Sequence, residues 1–153
     1  MSGVRAHIIV AASFLGLEVF LGTGFGCVGV LAGCAFLISF LFNRKTDSLR
    51  IATTYILLGI ASFAVIKINW HIAKRRAEPV IGACKEFHAK YNQYPGDLRE
   101  LVPGIISSVP HAGFTLYSRR YLYERSRPWL GFAVMFHGIE SYDFQTDRWG
   151  ENE

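Results

Sequence analysis

Glu18 is the single ionisable side chain in the apolar stretch 8–42, "IIVAASFLGLEVFLGTGFGCVGVLAGCAFLISFLF". In hydrocarbon an ionised carboxylate costs about 2.5–3.5 kcal/mol on insertion scales. Glu18 is therefore a relay for protons or ions, a contact to a partner within a bilayer, or a carboxyl bonded near Thr23. A relay needs further polar stations, and the neighbouring apolar segments supply only Ser and Thr, so a structural or partner contact fits better. Cys84 and His88 stand at i, i+4, the helical spacing of two metal ligands. A structural zinc takes four, and only His111 and His137 are available to complete it. Cys84 also falls on an apolar stripe, where a buried thiol is the simpler role. Asp143 and Asp147 bracket "FQT"; two carboxylates so placed cap a hairpin turn more readily than they supply the six or more oxygens of calcium. No H-E-x-x-H, C-x-x-C or G-x-S-x-G occurs, and five histidines scattered along the chain do not define a triad. The expectation is a protein without catalytic, cofactor or metal residues.

The elements that would carry these residues divide the chain in two. A membrane helix needs roughly 20 mainly apolar residues, with about 17 as the lower limit. As one helix, residues 8–42 would run to roughly 52 Å, too long for a hydrocarbon core of about 30 Å. They are better cut at "GTGFG" (22–26), where glycine permits a reversal. That loop lacks a Walker lysine and a preceding strand, so it has no mechanism for phosphate. Gly22, Gly24, Gly26, Gly29 and Gly33 instead suit a tight turn and close helix packing. Residues 51–66, "IATTYILLGIASFAVI", carry no charge at all. Three spans are expected, at about 8–23, 25–42 and 51–69, making a membrane anchor of residues 1–69. The net charge of +4 gathers in "NRKTDSLR" (43–50) and "KRR" (74–76). Both flank spans, where basic residues meet lipid headgroups without any nucleic acid. The two sides nearly tie by the positive-inside rule, with a lean towards a cytoplasmic N-terminus.

Residues 70–153 read as a soluble α+β domain. The third span continues as helix past Trp70 and His71, with Pro79 either kinking it or opening a new one. Val80, Cys84, Phe87 and Tyr91 then form one apolar stripe. "YNQYPGD" ends the helix, with Asn92 as cap and Pro95-Gly96 as turn. Asp97 and Glu100 have capping-box spacing for a short helix, "LREL". Strands are expected at "FTLY" (114–117), "RRYLYE" (119–124), "WLGFAVMF" (129–136) and "IESYDF" (139–144), ahead of a last turn before Trp149. The fold class is thus an α+β membrane protein, its third transmembrane helix continuing into an amphipathic helix packed on a small antiparallel sheet.

Residues 51–149, through "KYNQYPGDLRELVPG" and "YDFQTDRW", resemble the globular modules of type IV pilin-like proteins, particularly type II secretion pseudopilins. The resemblance implies a bacterial inner-membrane protein with a periplasmic domain that acts by protein–protein interaction, as a secretion or pilus assembly accessory. The chain departs from a true prepilin in three ways. Two spans precede the relevant helix, residues 43–55 offer no "G-F-x-x-x-E" processing site, and Glu18 lies in the wrong span. Tyr121, Tyr123, Trp129 and Tyr142, residue types that anchor interfaces, are the expected partner contacts, with Glu18 as a contact within the bilayer. Membrane lipid and another envelope protein are the expected partners. An immunity protein that neutralises a toxin acting in the periplasm or inner membrane fits the same small, non-catalytic chain.

Overall fold

A computed structural model describes residues 2–21, 26–43, 45–116, 118–134 and 138–152, with backbone alone at 2, 3, 18–21, 26, 43, 151 and 152. The chain forms two compact units, Met1–Lys67 and Ile68–Glu153. The architecture is α+β, with three α-helices, α1 (Ser2–Leu21), α2 (Gly26–Asn43) and α3 (Thr46–Tyr91), followed by a 3-10 turn at Leu98–Leu101 and four strands. Among the described residues, α3 is the one helix both long and apolar enough to cross a membrane. α1 and α2 carry shorter apolar stretches, Val4–Leu17 and Cys27–Phe42.

In the first unit the three helices meet around Ala11, Ile51, Tyr55 and Leu58, all buried. His7 Nδ1 lies 3.1 Å from the Tyr55 hydroxyl, and Phe36 stacks on the Tyr55 ring with centroids 6.0 Å apart. Two of the expected packing glycines explain how α2 comes so close. A Cβ at Gly33 would lie 2.8 Å from Ile56 Cγ1 and 3.2 Å from the Ala52 carbonyl oxygen. One at Gly29 would meet Leu58 Cδ2 at 3.1 Å and the Tyr55 carbonyl oxygen at 3.3 Å. Small residues one turn apart let backbones approach where larger ones would hold them off. Gly26 opens α2; Gly22 and Gly24, and with them the expected reversal, lie outside the described residues, as does the Glu18 side chain.

In the second unit, α3 buries Ala73, Ala77, Val80, Ile81 and Cys84 against the sheet. This stripe begins two turns earlier than periodicity indicated and ends sooner, because Tyr91 is 51% exposed. Asn92 takes a left-handed φ of 53° and terminates the helix there, the conformation that Asn tolerates after a last helical turn. Pro79 stays inside α3 on its exposed side, where it has no N–H to donate to the Arg75 carbonyl.

The strands are β1 (Tyr121–Glu124), β2 (Trp129–Val134), β3 (Gly138–Asp143) and β4 (Arg148–Asn152), an antiparallel meander in the order 1-2-3-4. Pairing Tyr121 with Phe132, Phe132 with Glu140, and Tyr142 with Trp149 decides which side chains share a face. Tyr121, Tyr123, Leu130, Phe132, Val134, Glu140, Tyr142 and Trp149 fall on one face, and Leu122, Trp129, Ala133, Ile139 and Ser141 on the other. "FTLY" is not a strand: Phe114, Thr115 and Leu116 lie in a loop, and Tyr117 is outside the described residues. The Phe114 N–H and the Thr115 hydroxyl bond to Asn69 of α3. Met135 and Phe136, the end of the expected strand 129–136, also lie outside the described residues.

Gly33→Ala should force α2 and α3 apart, costing about 1–3 kcal/mol as overpacking does. Gly16→Ala, with nothing within 4 Å of its Cβ, should be neutral or stabilise by up to about 1 kcal/mol through helix propensity. Thermal unfolding of both variants in the same detergent checks the contrast; equal losses would remove the close-packing role of Gly33.

Candidate functional site

Polar residues in the second unit form three internal clusters, and each ties part of the chain to α3 or its end. The first is an ion pair on the inner sheet face. Glu140, 8% exposed, receives Lys74 Nζ at 2.6 Å. The ammonium also lies 4.2 Å from the Trp70 ring centre and 4.9 Å from that of Trp149. Ring faces attract a cation electrostatically, so two indoles and one carboxylate replace the water that Lys74 gives up. Without Lys74, an inward glutamate between Phe132 and Trp149 would be an uncompensated buried charge.

The second cluster holds the turn between β3 and β4. Asp147, at φ 57°, accepts hydrogen bonds from Lys85 of α3 and from the Tyr142 hydroxyl. The Lys85 bond, first, and the Tyr142 bond hold the Asp147 carboxyl below the usual range, while the Asp147 bond raises the Lys85 ammonium. Asp143 Oδ1 accepts the Gln145 N–H at 2.7 Å. Both aspartates thus serve the turn, as Asp does when it caps its own backbone. Among the described residues no group of three His, Cys, Asp or Glu could hold a metal ion. Cys84 is fully buried and its thiol is pushed up to about 12 by that burial; His88 stacks on Tyr94 with centroids 4.3 Å apart. His137 lies outside the described residues.

The third cluster was not legible as a site. Asn69, 8% exposed, accepts the Phe114 N–H at 2.8 Å through Oδ1, and its amide nitrogen donates to Ser118 and, at 3.4 Å, to Thr115. The two hydroxyls bond to each other at 2.9 Å. A Cβ at Gly113 would sit 2.8 Å from Asn69 Nδ2 and closer still to Ser118 Oγ, so glycine is required for this approach. An asparagine between Ile68 and Trp70 was the one available signal.

The aromatic residues expected at an exposed interface need correcting. Tyr142 is buried, and Tyr121 and Tyr123 are half-buried on the inner face. Tyr121 donates to the Ala73 carbonyl at 2.9 Å and Tyr123 to the Pro95 carbonyl at 2.8 Å. Burial pushes both phenols above their ordinary range. The Tyr123 bond is what fastens "YNQYPGDLRELVPG" to β1. Within that corner, Asp97 Oδ1 accepts the Arg99 N–H at 2.7 Å and Glu100 reaches back to the Gly96 N–H at 3.0 Å. Trp129 alone of the four lies on the outer face, beside Glu124, to which its indole N–H donates at 3.4 Å. Its ring covers Gly131, where a Cβ would stand 2.8 Å from Trp129 Cζ3.

One exposed surface is mainly basic. A groove of about 430 Å³ runs past Asp97, Arg99, His111, Arg119, Arg120 and Leu122, with Arg99 Nε 3.9 Å from the Asp97 carboxylate. Arg76 donates to the His111 carbonyl and Arg119 contacts His111 Nε2, each at 3.4 Å. Beside it, a hollow of about 400 Å³ is lined by Leu116, Leu122 and Ala133 with Arg119 and Arg120. Such a surface can bind an anionic group next to an apolar one. The chain matches no known protein family, no curated protein and no solved structure.

Glu140→Gln should cost about 2–3 kcal/mol, less than the 3–5 kcal/mol of a fully buried broken pair, because the Lys74 side chain keeps 25% exposure. Lys74→Met with Glu140→Gln should recover part of it; denaturant titration followed by tryptophan fluorescence gives the coupling, and additive losses would refute it. For Asp147 the folded value is depressed. Its contribution is therefore complete above the ordinary Asp value of about 3.9 and disappears as pH falls through the lower folded one. A carboxyl-carbon NMR titration should place its midpoint below that of an unstructured Asp; a midpoint at or above it would disprove the Lys85–Asp147–Tyr142 contact.

Proposed function

We propose that the chain is a non-enzymatic inner-membrane protein with three spans, whose C-terminal unit is a pilin-like module that docks another envelope protein. The observation that carries this reading is α3 itself. One helix leads from the uncharged run 51–66 into a face that only a folded sheet buries. The apolar stretches of α1 and α2, Val4–Leu17 and Cys27–Phe42, are short for spans, yet they expose Ile9 (66%), Leu31 (71%) and Phe42 (83%). Apolar exposure of this extent around Gly-packed helices supports a lipid environment. The pilin-like reading is supported by the element order: a long helix, the Tyr-Pro corner, then an antiparallel meander against the helix's inner stripe.

The docking surface is the outer sheet face around Trp129. It is the one expected aromatic anchor whose ring is not committed to the core, and Leu122 beside it is 40% exposed. The N-terminus and the 43–50 loop are cytoplasmic and the C-terminal unit periplasmic. This arrangement suits an assembly accessory. The immunity reading would instead place the decisive contact at Glu18.

Compartment-sensitive reporters after Glu153 and within 43–50 should report opposite sides; reporters on the same side would overturn the three-span arrangement. A photo-crosslinker at Glu124, beside Trp129, should trap an envelope protein in native membranes, whereas one at Glu86 on the exposed side of α3 should not. Equal trapping at both, or none at Glu124, would discard the outer face as the docking surface.

A further inference from the structure

We propose that the loop 112–120 docks on anionic phospholipid headgroups, with Phe114 and Leu116 entering the membrane interface and Arg119 and Arg120 pairing with lipid phosphates. The inference rests on α3 crossing the membrane at the expected span 51–69, with its uncharged run 51–66 in the hydrocarbon. Asn69 lies three residues beyond Ile66. Even a fully extended chain moves only about 11 Å in three residues, and a helix about 4.5 Å. The headgroup layer on each side of the hydrocarbon is itself about 5–8 Å thick. Whatever the direction of the chain at Lys67, Asn69 is held at the level of the headgroups or just above them, and the loop is bonded directly to Asn69.

The polarity of that loop is inverted relative to one that faces water. Thr115 and Ser118 are 3% and 2% exposed, whereas Phe114 and Leu116 are 42% and 45% exposed. The Asn69 network produces this inversion: with Phe114 N–H, Thr115 and Ser118 bonded to α3, the Phe114 and Leu116 side chains are left outward. A loop in water gains nothing from such an arrangement, while a loop at a bilayer surface gains apolar burial. Ile68, 55% exposed, adds to the same level of the chain. Trp70 and His71, whose rings meet at 4.7 Å, are also of the kind that settles at headgroups.

The charge is complementary to anionic lipid. Residues 67–76 and 111–120 contain no Asp or Glu, and they contribute Lys67, Lys74, Arg75, Arg76, Arg119 and Arg120. Lys74 is committed to Glu140, whereas Arg75, Arg76, Arg119 and Arg120 are exposed. Arg119 and Arg120 also line the hollow formed by Leu116, Leu122 and Ala133. Guanidinium groups bind phosphate with paired donors, and here they do so next to apolar surface, as a lipid headgroup with its glycerol end would require.

The test uses the full chain, with Cys27 and Cys34 replaced by Ala, in phosphatidylcholine vesicles with or without phosphatidylglycerol. An environment-sensitive fluorophore is placed at Leu116→Cys, at Leu57→Cys in the span, or at Arg148→Cys on the outer face of β4. Quenching by nitroxide-bearing lipid is compared with quenching by iodide. The label at 57 should be quenched by lipid nitroxide, that at 148 by iodide, and that at 116 by lipid nitroxide once phosphatidylglycerol is present. Arg119→Glu with Arg120→Glu should abolish the phosphatidylglycerol-dependent change at 116. A label at 116 open to iodide in both vesicles, with 57 shielded, overturns the loop docking while the span stands. Iodide access at 57 as well overturns both. Lipid quenching at 116 that ignores phosphatidylglycerol and both arginine substitutions overturns the anionic recognition.

Discussion

The C-terminal unit depends on one face of α3 being covered. A helix that leaves an apolar run still carries Ala73, Ala77, Val80, Ile81 and Cys84 along one side, and these need a surface to bury them. The small residues at 73 and 77 set the geometry, because they let β1 come near enough for Tyr121 to reach the Ala73 carbonyl. Larger side chains there would hold the sheet away, and the inner face, with Phe132 and Leu130 at its centre, would lose its helical partner. The remaining polar contacts of the unit are fastenings around that face. Lys74 with Glu140 and Lys85 with Asp147 join sheet to helix, and Tyr123 with Pro95 joins the corner to the sheet.

The packing around that face also shifts the groups it buries. The Cys84 thiol lies in the core and is raised to about 12 by burial, the opposite of the depressed value and solvent access of reactive cysteines. The phenols of Tyr121 and Tyr123 are raised for the same reason, since the anion has no place to form. What faces outward is different in kind: the arginines about His111, the Trp129 face, and Phe114 and Leu116 beside the Asn69 network.

Much of the architecture was legible from local pattern. The apolar runs marked the helices, Pro95-Gly96 and Asp97 marked the corner, and the alternation of "WLGFAV" and "IESYD" marked two strands of the sheet. Local pattern failed where both faces of an element looked alike. In "YLYE" tyrosine and leucine alternate, so periodicity could not say which set turns inward. In "IESYD" the inward set includes Glu140, which hydropathy assigns to solvent and only Lys74 makes tolerable. "FTLY" has the composition of a strand, but the Phe114 N–H and the Thr115 hydroxyl bond to Asn69, far away in sequence.

The sequence by itself determined where chain segments are apolar, where a helix must end and where a turn must fall, because those depend on side chains within a few residues of one another. Only the tertiary structure decided which face of β1 is the core, which carboxylate belongs to which lysine, and which aromatic side chain is left outside. Those outcomes are set by strand register and by partners tens of residues apart: Tyr121 with Ala73, Glu140 with Lys74, Ser118 with Asn69. A one-residue change of register would exchange every such assignment without altering the local pattern at all.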